Sequence, residues 1–467
     1  MTWTLRPIVA GAVSAVLSVA ALSALSARPQ APQPPAPQQP PTPQQPSEVS
    51  TVISGDAGAP PRLAVPDFMP LSTDAETDRI AKTIAQVLFD DLTFEREFAL
   101  IPRDTYSTIP AAKSLGDVPL DRWRELNADG VVVGTVQKSA AGIHVEIRLY
   151  NVKAGAAATQ FGKGYDGSAA NPRIYAHTFS DELHQQQRGL RGVARTKLTF
   201  DSDRDGERMT GTVENRGVKE IYIADYDGAN QRRVTTNQTL NVFPTWSPDG
   251  RSIAYTSYRR GPPNIFISNI FQGTMEELTK GEGNNYLASW SPDGTRLCFA
   301  SGRDGNAELY VVNRDGSNLR RLTNHPASDM SPTWSPSGTQ IAFTSDRTGT
   351  PQVWSIGADG LGLKKITSEA YADRATWSPA PYNEIAYASR TGPGFDIKVI
   401  DLASGVVRQL TYGEGTNESP AWAPNGKHLA FTSTRAGKVQ VFVIARDGKN
   451  LKQITNVGNN YQPDWSK

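Results

Sequence analysis

Only one cysteine occurs in the 467 residues, so no internal disulfide is available, whatever compartment the chain works in. That residue, Cys298, lies in the apolar run "LCFA", the setting of a small buried hydrophobe rather than of a nucleophile. Charge of one sign is equally scarce. Forty-eight Lys and Arg stand against 47 Asp and Glu, so no overall field draws the chain to nucleic acid or to anionic lipid. After residue 25 no apolar run is long enough to span a bilayer. Histidine is sparse too. His144, His177, His184, His325 and His428 are scattered without metal-ligand spacing, and no Gly-x-Ser-x-Gly elbow occurs. No catalytic pair, no metal site and no cofactor site is expected.

At the amino end, Arg6 precedes an apolar run from Ile8 to Leu25, and Ala24, Ser26 and Ala27 offer a cleavage site. Residues 1–27 read as a secretory signal peptide, with an uncleaved membrane anchor as the competing reading. From Arg28 the chain continues "RPQAPQPPAPQQPPTPQQP", almost wholly Pro, Gln and Ala. Such a composition cannot build a core and favours extended, polyproline-like conformations, so residues 28–62 read as an envelope spacer.

What the sequence has in abundance is a repeat. Tryptophans at 246, 290, 334, 377, 422 and 465 are separated by 44, 44, 43, 45 and 43 residues, each leading "WSPDG" or a variant of it. After each of the first five come a β-type run such as "SIAYTS", a turn, a second run such as "NIFISN", and a third ending in "LT" or "IT". With the Trp strand this makes four short strands per unit, one blade of a β-propeller. Pro presets φ in the turn and Gly accepts positive φ, so the pentapeptide is scaffold. Before Trp246, "TKLTFDSDR", "KEIYIADYDG" and "RRVTT" match a blade without its Trp strand, and "NYQPDWS" after the fifth full unit has no blade of its own. Six blades over residues 193–467 therefore close through the C-terminal strand, which removes exposed sheet edges. "DSDRDG" at Asp201–Gly206 imitates a calcium loop, but it aligns with the hairpin turn at Phe343–Gly349 and has Thr212 where the bidentate Glu belongs.

Residues 63–187 follow another rhythm. "LAVPDF" and "FALIP" read as strands, and Thr73 with Glu76 as a capping box. The helix so opened carries Ile80, Ile84, Val87, Leu88 and Leu92 on one face. "GVVVGTVQ" and "GIHVEIRLYNV" form a hairpin around Lys138–Gly142, and a second helix runs from about Pro172 to Gln187. The fold class is thus mainly β, a six-bladed propeller preceded by a small mixed α/β domain.

These features, "LAVPDF", "NADGVVVGTVQ", "VEIRLYNVKAG", "RIYAHTFSDEL", "VARTKLTF", "IYIADYDGANQRRVT" and the "PTWSPDG" blades, resemble the TolB family of the Gram-negative Tol–Pal envelope system. The resemblance covers roughly residues 62–467. It implies a monomeric periplasmic adapter, not an enzyme, with no small-molecule substrate. Its propeller would bind the peptidoglycan-associated lipoprotein Pal, and its N-terminal region an inner-membrane TolA-like protein, supporting outer-membrane integrity and invagination at cell division. The long Pro/Gln spacer departs from the family's short N-terminal tail, which bears on the TolA contact. The loops that lead into the Trp strands share one face of the ring with the hairpins between second and third strands. The enlarged hairpin at Glu207–Gly217 falls there as well. Mapped onto those loops, the implied partner contacts are Asn285, Tyr286, Asp329, Asn417, Glu418, Asn460 and Tyr461. The alternative is a six-bladed propeller enzyme, or the gating propeller of a periplasmic hydrolase.

Overall fold

The structure is a computed structural model that describes residues 59–139, 142–154, 159–209, 217–281 and 283–467. The signal-peptide reading and nearly all of the spacer lie outside the described residues, as do Thr212 and most of the Glu207–Gly217 hairpin. Among the described residues no helix is long and apolar enough to cross a membrane.

The smaller domain is built on strands β1 (Arg62–Ala64), β2 (Met69–Pro70), β3 (Ala99–Leu100), β4 (Gly130–Ser139), β5 (Gly142–Asn151) and β6 (Thr159–Gly167), with helices α1 (Ala75–Glu95), α2 (Leu120–Glu125) and α3 (Arg173–Arg188). The sheet order is β3-β1-β4-β5-β6, with β2 also on β4. β1 is parallel to β3 and β4, whereas β4, β5 and β6 pair antiparallel. β4 is apolar on both faces because helices cover both. Val132 and Val136 meet Ile84, Leu88, Phe179 and Leu183 from α1 and α3, while Val131 and Val133 meet Trp123 of α2. The capping box expected at Thr73 is displaced by one residue. Asp74 is the cap, its carboxylate accepting from the Thr77 amide at 3.0 Å and the Thr77 hydroxyl at 2.8 Å. A carboxylate is the stronger acceptor and suits the positive end of the helix dipole, so it takes the position.

The second domain is a ring of six four-stranded sheets, and in the first of them residues Asn460–Trp465 pair antiparallel with Lys197–Ser202. The inner strands are Asn241–Trp246, Asn285–Trp290, Asp329–Trp334, Ala372–Trp377, Asn417–Trp422 and Asn460–Trp465. One aromatic recurs at the same place in each second strand: Phe200, Tyr255, Phe299, Phe343, Tyr387 and Phe431, all under 2 % exposed. Burying such a ring stabilises by roughly 1.5–3 kcal/mol, so these six form the main apolar ballast of the ring. Two of the tryptophans tie blades together: the Trp290 indole donates to the Thr245 carbonyl at 3.3 Å and that of Trp334 to the Ser289 carbonyl at 3.2 Å. The turn after Trp246 is closed by Ser247 Oγ on Asp249 at 2.5 Å, with Gly250 at φ 67°. That φ explains the glycine.

The α/β domain docks on the Trp-turn face, over the first and sixth blades. Phe94 of α1 stacks on His428 with centroids 4.3 Å apart and meets Tyr226 edge-on at 4.8 Å. Asp91 accepts from His177 Nδ1 at 2.9 Å and from the Tyr226 hydroxyl at 2.6 Å, and Arg96 pairs with Asp447 at 3.1 Å. The connecting segment is held by Glu95, which accepts from the Val193 amide at 3.0 Å, and by Asp181, which accepts from Ala194 at 2.8 Å. Gly192 lies so close to Asp181 that a Cβ there would sit 2.7 Å from its Cα, which excludes any other residue.

Candidate functional site

With the Trp-turn face partly capped, the channel mouth on the opposite, lead-in face is the end of the ring that the α/β domain leaves free. Each inner strand contributes a hexad running from the mouth to its Trp, and every hexad contains the same irregularity. Pairing with the second strand breaks between the second and fifth residues. The third residue is left-handed in all six: Phe243, Leu287, Ser331, Arg374, Ser419 and Gln462, with φ between 52° and 59°. A bulge of this kind re-aims a side chain, here toward the channel. None of the six is glycine, and a non-glycine residue in this region costs about 1 kcal/mol. These residues line a shallow basin of about 140 Å³ at the mouth. A second basin of about 240 Å³ lies at the Trp end, and the two share Thr245, Ser289, Thr333, Thr376 and Asp464. Burial raises the Asp464 carboxyl above the usual range, although it accepts the Trp246 amide at 2.7 Å.

The first position of the hexad does something other than meet a partner. Asn285, Asp329, Asn417 and Asn460 have no exposed surface. Each is clamped by an arginine from the turn after the second strand: Arg303 at 3.0 Å, Arg347 at 2.7 Å, Arg435 at 2.9 Å and Arg204 at 2.6 Å, respectively. The same guanidinium holds the serine two residues earlier, as Arg303 does Ser301 at 3.0 Å. A buried polar group needs partners, and these four find them inside the ring; Asn285, Asn417 and Asn460 also donate to Asn264, Asp396 and Gln440 of the preceding blade. Their assignment as partner contacts is therefore corrected to a structural one. The repeated Ser-x-Arg in "SDR", "SGR" and "STR" was the signal that could have revealed the clamp.

The second position is placed differently. Tyr286, Glu418 and Tyr461 are half-buried on the rim. Lys219 Nζ lies 3.3 Å from the Tyr461 ring centroid and 3.1 Å from the buried carboxylate of Asp201. Burial raises the Glu418 carboxyl, and the Arg374 charge partly opposes it. The third position, where the strain lies, went unnoticed in the sequence because Phe, Leu, Ser, Arg and Gln share no chemistry that would show as a period.

The acids of the false calcium loop diverge. Asp201 pairs with Lys219, Asp203 accepts from Asn459 at 2.7 Å, and Asp205 accepts from the Tyr222 hydroxyl at 2.6 Å. Among the described residues no group of three or more His, Cys, Asp or Glu side chains could hold a metal ion. Cys298 is fully buried, and burial pushes its thiol far above the usual range, so it presents no thiolate.

With this geometry in hand, comparison with known proteins is specific. Residues 185–467, more than half of the chain, match the TolB beta propeller domain, and residues 35–158 match the TolB amino-terminal domain. A Tol–Pal system protein TolB of Desulfosudis oleivorans is 33 % identical over 194 residues, 41 % of each chain. That of Geobacter sulfurreducens is 39 % identical over 179 residues, 38 % of each. The chain thus spans about two fifths of the length of the curated relatives it matches. The crystal structure of TolB from Acinetobacter baumannii shares the fold, with a TM-score of 0.72 at 23 % identity over 87 % of this chain and 96 % of that one. Two domain matches in this order, on a six-bladed ring behind a small α/β domain, mean that the chain belongs to the TolB family.

Proposed function

We propose that the chain is a non-enzymatic periplasmic adapter of the Tol–Pal system. It binds a Pal-type peptidoglycan-associated lipoprotein across the channel mouth and engages a TolA-like inner-membrane protein through its N-terminal region. In that role it links cell wall and membranes, supporting outer-membrane integrity and invagination at division. The observation that carries the mouth assignment is the ring of six left-handed bulge residues: backbone strain repeated around one opening, on the face the chain's own α/β domain leaves free. Strain of this kind persists where surrounding structure imposes it, and binding sites are where it collects.

Titration of a purified Pal-type domain against the full chain tests the reading. Glu418→Lys and Tyr461→Ala, both on the rim, should each weaken binding by about tenfold or more, the loss of one true anchor of roughly 1–3 kcal/mol. Asp293→Lys, in an exposed turn on the opposite face, should leave it unchanged. Weakening by Asp293→Lys alone would put the partner on the other side of the ring.

A further inference from the structure

The six inner strands contact one another in ring order, which sets Asn241–Trp246 and Ala372–Trp377 diametrically opposite. Even so, the Arg374 guanidinium lies 4.9 Å from the centroid of the Phe243 ring. Both residues are left-handed bulge residues, with φ 56° and 57°. Together they form a bar across the channel mouth. The Phe243 end is fixed by its backbone, whose amide donates to Gln462 Oε1 at 3.1 Å. Arg374 is fixed at its backbone too, its amide donating to Asp373 Oδ1 at 2.6 Å.

The guanidinium itself is under-used. Among the described residues no hydrogen bond reaches its five donors; its nearest carboxylate oxygen is Asp373 Oδ2, 3.7 Å from Nε. The other Asp373 oxygen is taken by the Arg374 amide, by Thr344 Oγ1 at 2.7 Å and by Ser331 Oγ at 3.4 Å. Glu418 does not fill the gap: among the described residues Asp373 is the acid within 4.0 Å of the guanidinium. Lys219, the cation beside Tyr461, already holds Asp201. Arg374 is 29 % exposed, so it is neither a buried structural cation nor a freely solvated one. A planar fork of N–H groups in that state matches a carboxylate, which would accept two parallel charge-assisted bonds. The basin is small, about 140 Å³, the scale of one inserted side chain.

Resting on the reading of the mouth as the partner surface, we propose that Arg374 is its specificity-determining anchor. The partner inserts one carboxylate side chain, Asp or Glu, which takes the guanidinium from Phe243 and opens the bar. The exchange trades a cation–π contact for a bidentate ion pair, so binding should fall with salt more steeply than for a partner that meets only the rim.

The test uses the full chain and a purified Pal-type domain, titrated at low and high salt. Arg374→Ala should raise Kd at least tenfold and flatten the salt dependence. Arg374→Lys keeps the charge without the fork and should fall between. Neutralising the partner's acids one at a time should reveal one whose loss matters to the native chain and not to Arg374→Ala. Melting of each variant separates lost binding from lost fold. Arg374→Gln serves as the neutral variant if Arg374→Ala does not fold. Native binding that survives Arg374→Ala or Arg374→Gln within twofold overturns the anchor while leaving the mouth assignment standing. No native binding, or binding broken only by Asp293→Lys, overturns the mouth assignment and the anchor with it.

Discussion

The propeller's two faces are made by the same hexads read in opposite directions, and they are finished in contrasting ways. On the Trp-turn face, over the first and sixth blades, ionisable groups are given partners: buried Asp91 has His177 and Tyr226, buried Glu95 has the Val193 amide, and exposed Arg96 has Asp447. On the lead-in face six backbones are strained, the Arg374 guanidinium lacks a hydrogen-bonding partner among the described residues, and the side chains at the second and third positions are half-exposed. One face has spent its polar groups on holding a domain. The other clamps four of its lead residues on arginines and leaves its second and third positions half-exposed, with the strain at the third. A surface adapted for stability and one adapted for encounter can thus be told apart in a single repeat, by asking which positions satisfy themselves.

The contrast can be broken most severely by removing a strand that both faces share. Deleting Asn460–Lys467 takes the inner strand from the first blade and the clamp partner from Arg204. The expected outcome is loss of cooperative unfolding in calorimetry; an unchanged melting temperature would mean that the ring does not depend on this strand. Next in size is Trp334→Ala. The side chain is 6 % exposed, and its loss should cost about 3–5 kcal/mol in denaturant titration, with the rim residues of the mouth left in place.

A third experiment sharpens the contrast through pH. Burial lowers His428 from 6.5 to about 4, with Nε2 donating to the Phe94 carbonyl at 3.2 Å. The unfolded chain then takes up the proton first. This contribution to stability is complete above pH 6.5 and is lost as pH falls toward 4, by up to about 3 kcal/mol. His184, also held at about 4 by burial, acts the same way. Asp181, raised to about 6 by burial, acts oppositely, since its folded form gains the proton first as pH falls. The readout is therefore a difference between two profiles: His428→Gln should lose less stability than the native chain between pH 6.5 and pH 4. Identical slopes would remove His428 from the account.

The smallest expected effect is at the mouth. Ser419→Gly relieves a φ of 52° and should stabilise the chain by about 0.5–1 kcal/mol, measured by thermal melting. Destabilisation would mean that the bulge is held by the serine side chain and not imposed on it.

How far these features could be read from the chain follows from their period. The blades were legible because Trp, Pro and Gly recur at nearly constant spacing, and each is there for a conformational reason visible in its chemistry. The closing strand was legible because an unmatched "NYQPDWS" and an incomplete first unit leave one solution. The clamp at Asn285, Asp329, Asn417 and Asn460 was visible as a repeat but misread, since polar residues before a strand look the same whether they face solvent or an arginine. The Thr73 box failed by one residue for a similar reason, with two competent caps in succession. The Arg374–Phe243 bar was not legible at all, because it joins residues 131 positions apart that meet only across a closed ring.

The strand that completes the first blade also sets an order in time. Lys197 and Ser466 meet across 269 residues, a loop whose closure alone costs about 5 kcal/mol of chain entropy. Until residue 465 has been delivered, five blades can be laid down one after another, yet the first has no inner strand and the ring stays an open arc with two raw edges. Synthesis, which moves along the chain from its beginning, therefore delivers the clasp after the strands of the other five blades. Closure of the ring is a single late event, and a chain cut before residue 460 leaves it open.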